Sequence, residues 1–223
     1  MKVYIGWDAA EEAAYEVAAN SLHQTGGYMA EPLKADKLQA QGLYWRSVDR
    51  RGQMYDLPSS APCSTDFAAT RFLVPILCQS GWALFTDCDV VFLDDVWQMM
   101  EYADPTKAVC VVKHRHEGSG TKMNGMVQTN YQRKNWSSVM LFNCDHPSNK
   151  RLSLRDINER PGRDLHAFYW LDDSEIGELP PEWNWLVNVE PQPAEPKIAH
   201  FTNGGPWIPN WKPAPHDELW LTE

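Results

Sequence analysis

Two carboxylates, Asp87 and Asp89, stand in the run Ala83-Leu84-Phe85-Thr86-Asp87-Cys88-Asp89-Val90-Val91-Phe92-Leu93, with apolar residues on both sides. Like charges held that close in a poorly solvated place raise each other's pKa, so the pair needs compensation. A divalent cation supplies it. Hard oxygen ligands suit Mg2+ or Mn2+, which keep few protein ligands and take phosphate oxygens for the rest. A seat for a metal-bound diphosphate is one reading; a turn between two strands with solvated aspartates is the other. Chance alone supplies about one Asp-x-Asp in a chain of this composition, so the surrounding elements have to decide.

Other residues with chemistry in them are spread along the chain. Arg71 lies in a stretch that is otherwise apolar, and reads either as a cation facing a ligand or as an ion-pair partner of Asp66. His200 sits in Ile198-Ala199-His200-Phe201, as a ligand or as a satisfied structural histidine. Lys113, His114, Arg115, His116, Lys122, Arg133 and Lys134 make a local basic cluster in the Gly-containing segment 113–135. That segment reads as an active-site loop or as a solvated one, with His114 and His116 in water.

The elements that must position these residues follow from the apolar runs. Val3 to Trp7 reads as a strand closed by Asp8, and residues 9–22 as a helix that Asp8 caps, stopping before Gly26-Gly27. Strand, Asp, helix opens an α/β unit whose ligands gather at strand C-termini. Residues 34–41 are weakly helical. Ser64 or Thr65 caps a helix to about residue 78 that Pro75 kinks or shortens. The motif strand follows Gly81, and Asp94-Asp95 cap the next helix. Residues 108–112 and 139–142 read as strands and 149–158 as a helix. Beyond Leu179, Pro and Trp dominate, which predicts strands and irregular segments wrapped on the domain, with the tryptophans as packing or as flat sugar platforms.

Composition narrows the function classes. The 223 residues are 43% hydrophobic and 22% charged, as in a globular chain with a real core. The formal net charge of -10 disfavours non-specific nucleic-acid or anionic-membrane binding. Five cysteines without a C-x-x-C pair argue against a disulfide scaffold or Cys-rich zinc site, and suggest buried thiols in a reducing cytosol. No basic-then-apolar start and no run of about 18 apolar residues occurs, which predicts a soluble, unprocessed, cytoplasmic protein without stable membrane insertion.

The segment Ala68-Ala69-Thr70-Arg71-Phe72-Leu73-Val74-Pro75-Ile76-Leu77 followed by Ala83 to Leu93 resembles the core of the family 8 glycosyltransferases, relatives of glycogenin and bacterial lipooligosaccharide galactosyltransferases. Three more blocks match in order. Ile5-Gly6-Trp7-Asp8 resembles the first strand. Asn135-Trp136-Ser137-Ser138-Val139-Met140-Leu141-Phe142-Asn143 resembles the Asn-(Ala/Ser)-Gly-Val-x-Leu-x-Asn segment. His200-Phe201-Thr202-Asn203-Gly204-Gly205-Pro206-Trp207 resembles the C-terminal His motif. Together they span most of the chain.

The resemblance implies an α/β chain of GT-A fold: a Rossmann-like mixed central sheet flanked by helices, with an irregular Pro/Trp-rich C-terminal part. One domain covers 1–223, with a nucleotide-binding part at about 1–113 and an acceptor and C-terminal part at about 114–223. It implies transfer of a sugar from a nucleotide donor, usually a UDP-sugar, with retention. Asp87, Asp89 and His200 would hold Mn2+ (or Mg2+) against the diphosphate. Asp8 would contact the base, Arg71 the donor sugar or phosphate, and Ser137 and Ser138 the sugar pocket. Asp172 stands where many members carry Gln and would act at the reacting carbon, with Asp173 on a substrate hydroxyl. The family's Lys before Pro-Trp is absent. Gly204 and Gly205 would offer backbone N–H groups instead, or a cation would come from Lys197 or Lys212.

Two rival functions fit parts of the pattern: a glycoside hydrolase with paired carboxylates, and a non-catalytic nucleotide-sugar or glycan-binding module. The sequence does not choose the acceptor among a saccharide, a glycolipid, a protein or a modified DNA base.

Overall fold

The computed structural model describes residues 1–114 and 133–222. Strand β1 (Lys2–Gly6) leads to Asp8, whose Oδ1 accepts from Ala10 N at 2.9 Å and caps a 3-10 turn (Ala9–Glu11) before α1 (Glu12–Gly26). The helix runs past residue 22 and closes on Gly27, whose φ of +73° lets its N–H reach His23 O. Next come β2 (Ala30–Leu33), α2 (Ala35–Ala40) and three two-residue strands, β3 (Val48–Asp49), β4 (Tyr55–Asp56) and β5 (Ala61–Pro62). The expected capped helix up to residue 78 is instead a 3-10 turn (Thr70–Leu73) running into α3 (Val74–Cys78). Pro75 thereby falls in the first helical turn, where its missing N–H costs nothing.

The motif lies between β6 (Trp82–Thr86) and β7 (Val90–Phe92). Asp95 then accepts from Trp97 N at 2.8 Å and caps a 3-10 helix (Val96–Tyr102). Strands β8 (Val109–Val111) and β9 (Val139–Asn143) flank the basic segment, of which residues 115–132, including Arg115, His116 and Lys122, lie outside the described residues. The expected helix at 149–158 is a 3-10 turn (Pro147–Arg151) and a separate α4 (Leu154–Glu159), opened by a Ser153–Asp156 capping box. After it come α5 (Gly162–His166), β10 (Ile176–Glu178), β11 (Trp185–Leu186), β12 (Ile198–His200) and α6 (Glu218–Leu221).

Six strands form the main sheet in the order β10-β8-β9-β6-β1-β2. β1 runs parallel to β2 and β6, while β9 is antiparallel to β6 and β8, so the sheet is mixed. Leu84, Phe85, Leu141 and Phe142 are fully buried at its centre. A second sheet, β11-β12-β7, has its own apolar cluster of Val91, Trp185, Val187, Ala199 and Phe201, with Trp207 and Trp220 packed on it. The C-terminal tryptophans in these clusters serve packing: Trp183 and Trp185 are buried and Trp207 half-buried. The five cysteines are unpaired and four of them are buried.

Candidate active site

The main sheet places the ends of β1 and β6 side by side, because Val3 pairs with Leu84 and Ile5 with Thr86. Asp8 and Asp87 therefore emerge at the C-terminal edge of two parallel strands, the edge where open α/β sheets gather ligands. The second sheet adds His200. Antiparallel pairing sets His200 opposite Val90, and Phe201 N donates to Asp89 O at 2.8 Å. A residue more than a hundred positions away is thus fixed beside the motif by a backbone ladder. Ligand atoms of Asp87, Asp89 and His200 all lie within 4.8 Å of one another, and His200 Nε2 is 3.2 Å from Asp89 Oδ1. Asp89 and His200 are buried and Asp87 nearly so. Two carboxylate oxygens and an imidazole nitrogen form a donor set that fits Mn2+ or a similar divalent ion.

Arg71 does not pair with Asp66, which is taken by Arg50. Its Nη1 instead lies 2.7 Å from Asp87 Oδ1 and donates to Ser137 O at 2.8 Å, while Nε donates to Phe67 O at 3.3 Å. The guanidinium packs between the Phe67 and Phe85 rings. Arg71 therefore orients Asp87 and ties it to the start of β9.

A cleft of about 330 Å³, within the usual range of small-molecule sites, opens beside these groups, with His200 behind its lining. Arg71, Asp87, Asp89, Ser137 and Ser138 all face it. Residues of the β3–β5 sheet line it too, held by Arg46. Arg46 Nε donates to Asp56 Oδ1 at 2.7 Å, and Nη1 donates to Ile157 O and Arg160 O at 2.8 and 2.9 Å. This small sheet is thus locked to α4. From α5, His166 lines the cleft with Nδ1 2.6 Å from Ser137 Oγ. Burial, then the nearby Arg71 and Arg46, hold the His166 pKa well below the usual histidine value, so the ring is neutral.

Several expected residues sit elsewhere. Asp8 is buried with its oxygens on backbone donors, Oδ1 on Ala10 N and Oδ2 on Asp66 N at 2.9 Å. It braces the loop that lines the cleft rather than lining it. Asp172 and Asp173 are exposed and outside the cleft lining. Asp172 opens a capping box with Glu175, and Asp173 pairs with Arg133. Gly204 and Gly205 are likewise outside the lining. A Cβ on Gly204 would strike Ile208, and one on Gly205 the Trp207 ring, so the pair serves a tight turn. Lys197 is held by Asp94 and Gln98 and lies over Trp183, and Lys212 is exposed. Lys134, from the basic segment, and Thr202 also line the cleft. His114, read as solvated, is buried between Glu190 and Asn184.

Nothing in the sequence assigned a role to His166 or Arg46, and Asn184 figured there only as part of the Trp183-Asn184 match to a Leu-Pro/Trp-Asn segment of the family 8 enzymes. The one signal available for them is a polar residue inside an apolar run, as in Trp183-Asn184-Trp185-Leu186.

Fold and site define a class: the chain has the GT-A glycosyltransferase fold. GlyE, a glycosyltransferase from Streptococcus pneumoniae TIGR4, superposes with a TM-score of 0.60 at 12% identity, over 99% of this chain and 60% of that one. An active-site mutant of LgtC gives 0.57 at 11% identity over 100% and 94% of the two chains. The bifunctional glycosyltransferase WbbM gives 0.58 at 14% identity, and the chain spans 91% of its own length but 45% of WbbM. No protein-family model matches. Protein CDI of Arabidopsis thaliana is 41% identical over 231 aligned positions, covering 100% of this chain and 85% of that protein, and the chain belongs to the Protein CDI family.

Proposed function

We propose that this chain is a metal-dependent glycosyltransferase that moves a sugar from a nucleotide-sugar donor, a UDP-sugar by the family 8 resemblance, to a hydroxyl acceptor with retention of configuration. The observation that carries the reading is the Asp87–Asp89–His200 cluster, set at the C-terminal edge of a GT-A sheet beside a cleft of small-molecule size. LgtC, which shares this fold, has been crystallised with donor and acceptor sugar analogues.

Asp87, Asp89 and His200 would hold Mn2+ or Mg2+. The bound ion would neutralise charge that grows on the departing nucleotide diphosphate. Arg71 fixes the rotamer of Asp87 and presents it to the cleft. Lys134, in the cleft wall, takes the part of the cation absent before Pro206-Trp207. Ser137 and neutral His166 offer hydrogen bonds to sugar hydroxyls, with Ser138 lining the pocket beside them. Asp66 and Thr202 complete the polar lining. The unpaired cysteines favour a reducing compartment such as the cytoplasm, and no described helix is long and apolar enough to cross a membrane.

The test is release of free nucleotide from a panel of nucleotide-sugars, with Mn2+, with Mg2+ and with EDTA. Release that needs the metal and stops with EDTA supports the reading. Metal-independent cleavage of glycosides, or no turnover and no binding of any nucleotide-sugar in the presence of Mn2+, overturns it. The anomeric configuration of the product, read by proton NMR, tests retention.

A further inference from the structure

Asn184 is fully buried where the 3-10 turn Pro181–Asn184 meets His200, Ser138 and His114. Its Nδ2 lies 2.9 Å from Ser138 Oγ and 3.0 Å from His114 Nε2, and its Oδ1 lies 2.9 Å from His200 Nδ1. An Asn amide keeps its shape when turned end for end, so its partners must say which end is oxygen.

Ser138 decides this. Its hydroxyl donates its one proton to Asn135 O at 2.7 Å, so toward Asn184 it accepts. The atom facing Ser138 is therefore the NH2 group, whose second proton goes to His114 Nε2. His114 then carries its own proton on Nδ1 and donates it to the Glu190 carboxylate, at 3.0 and 3.1 Å. Asn184 Oδ1 can only accept, which puts the His200 proton on Nδ1. In the neutral ring Nε2 is left with a lone pair, 3.2 Å from Asp89 Oδ1. Two electron-rich atoms facing at that distance repel unless a proton or a cation sits with them.

We propose that Asn184 is a positioning residue for the metal centre: oriented by Ser138 and by the Glu190–His114 pair, it holds His200 as the Nδ1-protonated tautomer and so offers Nε2 as a ligand beside Asp87 and Asp89. The proposal rests on the metal-dependent reading above. It assigns a purpose to three buried polar residues that never touch the cation. Partners behind a metal-binding histidine fix its tautomer and basicity, and losing one costs about 10–100-fold in metal affinity.

The experiment is Mn2+ titration of the full chain without nucleotide-sugar, followed by electron paramagnetic resonance of free Mn2+. Electron-spin-echo modulation from a nitrogen ligand provides the signature of His200. Asn184→Ala is expected to weaken Mn2+ binding about 10–100-fold and to reduce the nitrogen signal. Asn184→Asp keeps an oxygen acceptor for His200 Nδ1 and is expected to retain the nitrogen signal and most of the affinity. Wild-type affinity and signal in Asn184→Ala overturn the proposal, as does an Asp variant no better than the Ala variant. If Asn184→Ala does not fold, Glu190→Leu, which removes the acceptor for the His114 Nδ1 proton, carries the test from a quarter-exposed position, with weaker Mn2+ binding expected and unchanged affinity overturning the role. A wild-type chain that binds no Mn2+ overturns the metal-dependent reading and the proposal together. A wild-type chain that binds, with variants that bind equally, overturns the positioning role alone.

Discussion

Asp89 and Arg71 show how much one side chain decides. Asp89→Asn keeps shape and burial but removes a charge from the proposed ligand set. Metal-dependent nucleotide release should fall by at least about 100-fold, the scale of losing a preorganised electrostatic contact, with the circular dichroism spectrum unchanged. Arg71→Met strands Asp87 without its guanidinium. Removing one partner of a buried pair costs about 3–5 kcal/mol, to be read from urea midpoints, and adding Asp87→Asn should restore part of it. His166 sets a pH dependence. Its folded pKa is depressed by burial and by Arg71 and Arg46, so below the ordinary value of 6.5 the unfolded chain binds a proton that the folded chain refuses. Its contribution is present in full above that value and is lost as the pH falls, by up to about 1.4 kcal/mol per pH unit. His166→Gln should flatten this part of the stability profile between about pH 7 and 5.

At the scale of elements, two sheets meet at the motif. β6 delivers Asp87 from the main sheet, and β7 leaves Asp89 to pair with β12 and bring in His200. Close approach at the end of β1 supports the cleft floor, since a Cβ on Gly6 would lie 2.5 Å from the buried Phe67 ring. Phe67 follows Asp66, whose N–H is held by Asp8. Gly6→Ala should therefore cost about 1–3 kcal/mol in denaturant unfolding, as overpacking does, and weaken donor binding through the displaced 64–67 loop. The Arg46 knot plays the same part elsewhere in the lining, joining the β3–β5 sheet to α4 through buried hydrogen bonds.

For the whole molecule, an acidic body surrounds a cleft that carries Arg46, Arg71, Lys134 and Arg163. The same lining holds Asp56, Asp66, Asp87 and Asp89, with Arg46 paired to Asp56 and Arg71 to Asp87, so cations and carboxylates alternate there, as an anion carried on a divalent ion requires. Because a ligand that binds only the folded state stabilises it, Mn2+ with the right nucleotide-sugar at about 100 times its dissociation constant should add about 2.7 kcal/mol. For a chain of this length that is a rise in melting temperature of roughly 5–10 °C by scanning calorimetry, absent with EDTA.

Local patterns reach as far as neighbours along the chain. The apolar runs of β1, β6, β8 and β9 and the Asp8 and Asp95 caps were legible, because strand and cap preferences act over a few residues. The short 3-10 turns at Thr70–Leu73 and Pro147–Arg151 and the small β3–β5 sheet were not, since segments so short take their shape from what they pack against. Within the site, Asp87 and Asp89 stood out by type and spacing and His200 joined them only through the family 8 resemblance, while their meeting depends on the β7–β12 register, a pairing across more than a hundred residues. Asp172 and Asp173, expected at the reacting carbon, stand in an exposed turn, the first in a capping box with Glu175 and the second paired with Arg133, an arrangement set by neighbours that the sequence does not name. The roles of Asn184, His114 and Glu190 follow from the tertiary structure alone. A hydrogen bond has a donor end and an acceptor end, and only three-dimensional neighbours say which is which.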